Sequence, residues 1–170
     1  MSFWKSTISV IDGTEATKYG KQHEKDAIKK LEQILGVKID EPKKFVDKDH
    51  KYLVSIPDGL IDDDKLVEIK CPYKCSKNSM ESLARSDEKF CLKITDDGRL
   101  KLKENHDYYY QVQGELNICK KDVCYFVVWS PTEFHYQVIQ RDQHFWDVQM
   151  FPWLLDFHRW VRYKGIFSSE

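Results

Sequence analysis

The sequence predicts an α/β (α+β) fold in which helices flank a mixed central β-sheet. The apolar residues give the order α, several β, α, β, β, α, which is typical of helices packed on a sheet. The chain has 170 residues, of which 41% are apolar and 14% aromatic. That length suits one sizeable core, and no linker or repeat divides it. We therefore expect a single domain over residues 1–170, with residues 1–18 as a poorly defined N-terminal segment.

The first half of the chain contains one clear helix and three strand-like stretches. Helical spacing of apolar residues predicts a helix over residues 19–35, with Gly36 as its C-terminal stop. The expected core stripe of this helix is Ala27, Ile28, Leu31, Ile34 and Leu35. Strands are expected at residues 44–46, 52–61 and 65–70, the last two joined by the acidic turn 62–64.

The second half begins with a lysine-rich stretch, residues 71–103, that we expect to be irregular, with a turn at Asp96-Asp97-Gly98 between short extended pieces. A second helix is predicted over residues 104–119, and a hairpin at 123–129 and 135–141 follows it. The buried stripe of the helix would be Tyr108, Tyr109, Val112, Leu116 and Cys119. An aromatic helical tail should cover the sheet with Trp146, Trp153, Leu154, Phe157, Trp160 and Val161, and packing is favoured over partner docking for its tryptophans.

Composition excludes several classes of protein. The formal net charge is −1, so nucleic-acid binding would need a local basic patch. The five cysteines form no Cys-x-x-Cys pair and no signal peptide is evident, so we expect reduced thiols and an intracellular location, in cytoplasm or nucleus. No apolar run approaches the ~20 residues that span a bilayer, so no membrane association is expected.

The acidic turn predicts where two carboxylates meet. If two antiparallel strands pair around a turn centred on Asp63, Asp58 lies opposite Glu68. Two like charges in that position are destabilising. Period-two alternation places Lys70 on the same face as Glu68. The alternative is a solvated strand face with an ordinary Glu–Lys pair.

Glu24 adds a third acid. It falls on the first helix's core stripe, where a carboxylate is costly unless paired or metal-bound. It could equally be a helix-start acid that reaches water. Three carboxylates beside one lysine would suit Mg²⁺ or Mn²⁺ and could hydrolyse a phosphodiester. Lys70 would orient or deprotonate the water, or balance charge on the phosphate.

Two motifs carry a resemblance to a known family. Pro57-Asp58-Gly59 with Glu68-Ile69-Lys70 resembles the active-site motif of the PD-(D/E)XK nuclease superfamily. Four further blocks resemble, in order, the phage lambda exonuclease or YqaJ-like viral recombinase family: residues 19–27, 68–73, 110–113 and 135–142.

The resemblance implies a restriction-endonuclease-like core within a single nuclease domain, with residues 19–170 as the catalytic core. It implies metal association for Glu24, Asp58, Glu68 and the Ile69 backbone carbonyl. It also implies that Lys70 is the catalytic lysine and that Gln111 lines the site. On the second helix Gln111 lies about a quarter turn off the apolar stripe, where a boundary polar residue would also sit.

The expected function is a metal-dependent deoxyribonuclease, an exonuclease on double-stranded DNA ends in recombination or genome processing. A nicking or structure-selective endonuclease and a catalytically silent DNA-binding module are the alternatives. Mg²⁺ would be the cofactor, with Mn²⁺ as a substitute, and a homo-oligomer or a recombination partner protein is possible. Lysine clusters that could contact phosphates are Lys18, Lys21 and Lys25; Lys70, Lys74 and Lys77; and Lys93, Arg99, Lys101 and Lys103.

Overall fold

The computed structural model describes residues 15–164. In chain order the helices and strands are α1 (Glu15–Leu35), β1 (Phe45–Val46), β2 (Val54–Ser55), β3 (Gly59–Ile61), β4 (Lys65–Lys70), a 3₁₀ turn (Tyr73–Ser76), α2 (Met80–Ser86), β5 (Leu92–Ile94), β6 (Leu100–Leu102), α3 (Asp107–Cys119), β7 (Val123–Trp129), β8 (Phe134–Gln140), α4 (Gln143–Phe145), a π-helical turn (Trp146–Met150) and α5 (Phe151–Tyr163).

A four-stranded sheet with the order β3-β4-β7-β8 forms the centre of the fold. Strands β4 and β7 run parallel, whereas β3 and β8 are antiparallel to their neighbours. Two small two-stranded sheets, β1-β2 and β5-β6, lie outside it. The central sheet is therefore mixed, and the predicted fold class is confirmed.

Helix α1 covers one face of this sheet. Its Ala27 and Leu31 are fully buried and belong to one apolar cluster with Val67, Ile69 and Val127. Gly36 follows the helix with a φ of 67°, a left-handed conformation that glycine adopts without strain. Ile34 departs from the predicted core stripe, since 44% of it is exposed.

Helix α3 covers the opposite face. Val112 and Leu116 pack there with Leu66, Phe126 and Val128, which alternate along the strands with the residues that face α1. The buried surface of α3 is wider than the predicted stripe. It also includes the three polar residues Gln113, Glu115 and Asn117.

The β3–β4 hairpin has the register that the turn length predicts. Gly59 pairs with Val67, and Ile61 pairs with Lys65. Asp62 and Asp63 both have a φ of 54°, a conformation that aspartate tolerates better than most residues. Gly59 has no room for a side chain, because a Cβ atom there would lie 2.5 Å from Cγ2 of Ile39.

Two sequence predictions about residues 52–103 are wrong. The stretch 52–61 is not one strand: β2 and β3 are separated at residues 56–58, where Pro57 has no N–H to donate to a ladder. Residues 71–103 are not irregular throughout, because they contain α2, at whose N-terminus the Ser79 side chain accepts a hydrogen bond from the Ser82 N–H. The predicted turn at residues 96–98 does lie between two short extended pieces, and these pair as the β5–β6 hairpin.

The aromatic tail covers less of the sheet than predicted. Trp146, Met150 and Leu154 form a separate cluster with Leu53, against which Tyr110 of α3 also packs. Two of the predicted covering residues face outward instead, since Trp153 is 75% and Trp160 is 51% exposed. No helix within residues 15–164 has the length and apolarity needed to cross a membrane.

Candidate active site

A buried ion pair lies at the C-terminal end of β4. The Lys70 ammonium donates a hydrogen bond to Oε1 of Glu68 over 2.6 Å, and only 2% of the Glu68 side chain is exposed. Both side chains leave the strand on the α3 side, because Val67 and Ile69 occupy the α1 side. Burial opposes the charge of Lys70, but the Glu68 carboxylate and the same hydrogen bond raise its pKa above the ordinary value. Lys70 is therefore held as a cation.

Gln111 of α3 joins this pair from across the interface. Its Oε1 accepts a hydrogen bond from Lys70 over 2.9 Å, and its Nε2 donates to Oε1 of Glu68 over 2.6 Å. The three predicted residues therefore form a closed triangle of hydrogen bonds.

Asp58 is placed beside them by the β3–β4 register. It immediately precedes β3, and its Oδ2 accepts a 2.7 Å hydrogen bond from the backbone N–H of Ile69. Burial, followed by the charge of Glu68, raises the pKa of Asp58 to about 8, while the Ile69 N–H and Lys70 act in the opposite direction. The Ile69 side chain faces the α1 cluster, so only its backbone could contribute to the site.

Glu24 lies half-buried on α1. Burial and the charge of Glu68 raise the pKa of Glu24, and Lys70 opposes the rise. Glu24 is also among the charges that raise the pKa of Asp58. Glu24 therefore lies near enough to Glu68 and Lys70 for their charges to act on it, and its side chain is neither fully buried against the sheet nor fully exposed.

Two neighbours of the site were missed in the sequence. Glu115 is 6% exposed, and its Oε1 accepts a 3.0 Å hydrogen bond from Nε2 of Gln111. The Lys70 ammonium lies 4.6 Å from the ring centre of Tyr108, a cation–π distance. The signal for Glu115 was its spacing of four residues from Gln111, which puts both side chains on one helix face. An apolar stripe does not reveal a polar pair of this kind.

Gln113 has a different role from Gln111. It is fully buried, and its Nε2 donates to the backbone oxygen of Gln140 while its Oε1 accepts from the N–H of Asp142. It therefore joins α3 to the end of β8, away from the ion pair.

Comparison with known proteins places the chain in a family. The sequence matches the YqaJ-like viral recombinase domain over residues 4–122, which is more than half of the chain. The chain belongs to the YqaJ-like viral recombinase family. A search of curated proteins gave no significant match.

Solved structures share the fold of this YqaJ-like chain. The alkaline exonuclease LHK-Exo from Laribacter hongkongensis is 17% identical, with a TM-score of 0.66 over 95% of this chain and 78% of that one. The structure of the same enzyme in complex with dAMP is 18% identical, with a TM-score of 0.67 over 94% of this chain and 76% of that one. A phage-related exonuclease from Haemophilus somnus 129PT is 16% identical, with a TM-score of 0.55 over 86% of this chain and 70% of that one.

The residues of the YqaJ-like site fit a divalent cation in their chemistry. Asp58, Glu68 and Glu24 supply the hard oxygen ligands that Mg²⁺ prefers, and together they carry more negative charge than Lys70 balances. The raised pKa values of Asp58 and Glu24 follow from burial and from that crowding. Within residues 15–164, however, no three acidic, histidine or cysteine side chains are already arranged to hold a metal ion. The metal-ligand roles of Glu24, Asp58, Glu68 and Ile69 stay predictions.

Proposed function

We propose that this chain is a Mg²⁺-dependent deoxyribonuclease, with Mn²⁺ as a substitute, that removes nucleotides from double-stranded DNA ends in recombination or genome processing. The observation that carries the proposal is the hydrogen-bonded junction of Glu68, Lys70 and Gln111 beside Asp58. An acidic cluster with a fixed ammonium suits attack of water on a phosphodiester.

The names of proteins with the same fold support this reaction. LHK-Exo and the Haemophilus somnus protein are both called exonucleases, and one LHK-Exo structure contains dAMP, a deoxynucleotide. Because these proteins have low sequence identity to this chain, their similarity establishes only a shared fold. The substrate and the direction of cleavage are therefore part of the proposal.

Each residue has a separate task in the proposed reaction. Asp58, Glu68 and Glu24 would hold the cation, which when bound supplies charge neutralisation and a more acidic water. Lys70 acts as a cation that stabilises negative charge developing on the phosphate, because its raised pKa makes it a poor base. Gln111 holds the Lys70 ammonium in place through its amide oxygen.

The basic clusters expected to contact phosphates are partly occupied. Lys74 is 2.5 Å from Oδ2 of Asp87, and Lys101 is 2.9 Å from Oε1 of Glu104. Lys25 is exposed on α1, next to Glu24. We expect DNA binding to depend on the lysines around the start of α1 and to weaken with salt.

End-labelled linear duplex DNA tests the proposal directly. Incubation with Mg²⁺, with and without a 5′-phosphate, should release labelled mononucleotides. The variant Lys70→Ala should abolish release while retaining the circular dichroism of the folded protein. Lys65→Ala is the matched control, because Lys65 lies at the other end of the same strand and pairs with Asp62 and Asp64. Full hydrolysis by Lys70→Ala would refute the assignment.

Two other substrates separate the remaining alternatives. Conversion of supercoiled plasmid to the nicked form, without degradation of linear DNA, would identify an endonuclease. DNA binding that is independent of Mg²⁺ and leaves the DNA intact would identify a catalytically silent module.

A further inference from the structure

Glu115 lies directly behind the proposed active site and has no task in the reaction described above. It occupies the buried side of α3, between the apolar core residues Val112 and Leu116 along the helix. Its Oε2 is buried and has no hydrogen-bond partner among the residues that the structure describes. An acid in such a place costs free energy of folding, so the position would be more stable with an apolar side chain.

Within residues 15–164, the side chain of Glu115 makes one hydrogen bond, which it accepts from the Gln111 amide. A glutamine side chain has two N–H donors and one acceptor oxygen. The Gln111 nitrogen donates to Oε1 of Glu68 over 2.6 Å and to Oε1 of Glu115 over 3.0 Å, which occupies both donors. The amide oxygen then accepts from Lys70 over 2.9 Å.

This arrangement fixes which way the amide points. In the flipped orientation the oxygen of Gln111 would face the Glu68 carboxylate, and its NH₂ group would face the Lys70 ammonium. Both contacts would be repulsive. The Gln111 amide nitrogen has two acceptors, Glu68 and Glu115. Glu68 also accepts a hydrogen bond from Lys70, whereas Glu115 accepts only from Gln111 among the residues of the site.

We propose that Glu115 is a positioning residue that holds the Gln111 amide with its oxygen toward Lys70. Its effect on DNA cleavage rests on the proposed function. Its effect on the Gln111 amide does not, and the two are measured separately.

Steady-state cleavage of duplex DNA by three variants tests the first effect. Glu115→Met removes the acceptor at similar side-chain length and should lower kcat about tenfold without changing KM, because one oriented hydrogen bond is lost. Glu115→Gln keeps an acceptor oxygen and should retain kcat within about threefold. The matched control is Asn117→Leu, which replaces another buried polar residue of α3, one whose side-chain nitrogen donates to the Gln113 backbone oxygen.

The ¹H–¹⁵N signals of the Gln111 side-chain amide, assigned by their absence in Gln111→Leu, test the second effect. In the wild-type protein both amide hydrogens should be shifted downfield by the oxygen atoms of Glu68 and Glu115 that accept them. In Glu115→Met one hydrogen should move upfield, whereas in Glu115→Gln and Asn117→Leu the pair should stay near its original position. Glu115→Leu serves as the second acceptor-free variant if Glu115→Met does not fold.

The outcomes separate this inference from the proposed function. If the wild-type protein leaves DNA intact while the Gln111 signals respond as described, the proposed function fails and the positioning role holds. Unchanged Gln111 signals in an acceptor-free variant would overturn the positioning role, whatever the activity. An equal loss of kcat in Glu115→Gln and Glu115→Met would overturn it as well, because the charge and not the acceptor would then matter.

Discussion

Helices α1 and α3 pack on opposite faces of the same sheet but bury different kinds of residue. The fully buried positions of α1 are the apolar Ala27 and Leu31, whereas α3 buries Gln113, Glu115 and Asn117 besides its apolar residues. The same division appears within β4, where Val67 faces α1 and Glu68 faces α3. The α1 face therefore serves mainly stability and contributes Glu24 to the candidate site, whereas the α3 face carries Glu68, Lys70 and Gln111 at a cost in stability.

The largest expected contrast is between two adjacent residues of β4. Glu68→Gln should lower cleavage by roughly 10²–10⁴-fold, because the variant loses a carboxylate of the proposed metal site while keeping the side-chain shape. Val67→Ala should destabilise the protein and leave kcat of the folded fraction unchanged. Denaturant unfolding and cleavage rates of both variants check the contrast. If Glu68→Gln keeps metal-dependent hydrolysis, the α3 side of β4 does not carry the catalytic carboxylate.

The stability of the metal-free protein should depend on pH through Asp58, which lies beside Glu68 on the α3 side. Because the folded-state pKa of Asp58 is raised from 3.8 to about 8, the folded state binds more protons than the unfolded state between these values. This contribution to stability is complete below pH 4 and falls as the pH rises toward 8. Melting temperatures measured in EDTA should therefore fall more steeply with pH for the wild type than for Asp58→Asn. Parallel curves for the two proteins would contradict the buried, crowded environment of Asp58.

Loss of packing on the α1 side should be a purely structural effect. Leu31→Ala leaves a cavity in a fully buried position and should lower the free energy of unfolding by about 2–5 kcal/mol. Ile34→Ala on the same helix is the control, since Ile34 is 44% exposed, and it should cost less than about 1 kcal/mol. Urea unfolding measures both. A reduced kcat in folded Leu31→Ala would show that the two faces are coupled.

The smallest effect separates two glutamines of α3. Gln113→Leu leaves the Asp142 N–H and the Gln140 carbonyl without their partner, which should cost roughly 1–3 kcal/mol. Because these bonds lie away from Lys70, cleavage by the folded variant should stay near the wild-type rate. A strong loss of activity with unchanged stability would instead assign Gln113 to the site.

The sequence predicted the α1 side better than the α3 side, for a physical reason. Ala27 and Leu31 are apolar residues at helical spacing, and such spacing predicts which side of a helix is buried. The register of the β3–β4 hairpin followed from the length of the turn at residues 62–64. On α3 the apolar stripe predicted Val112 and Leu116 but could not reveal that Glu115 is buried, since a polar residue is buried only where a tertiary partner receives it. Short elements were predicted less well, because so few residues carry little periodicity: β5 and β6 were expected only as extended pieces without bounds, and α2 was missed.

The candidate site was predicted in part for a similar reason. The alternation in β4 and the turn placed Glu68, Lys70 and Asp58 together, and the family resemblance supplied Gln111. The cation–π contact of Tyr108 with Lys70 depends on how α3 is set against the sheet, which local sequence does not determine.

The five cysteines give the protein a practical property. Cys71, Cys75, Cys91, Cys119 and Cys124 are all buried and unpaired, and burial raises their pKa values, to about 11 for Cys75 and about 12 for Cys91. Thiolates are the species that react with maleimides, so the native chain should behave toward such reagents almost as a cysteine-free protein. A single thiol introduced on the surface would then accept a fluorophore selectively. Slow labelling of the five buried cysteines would report transient opening of the core.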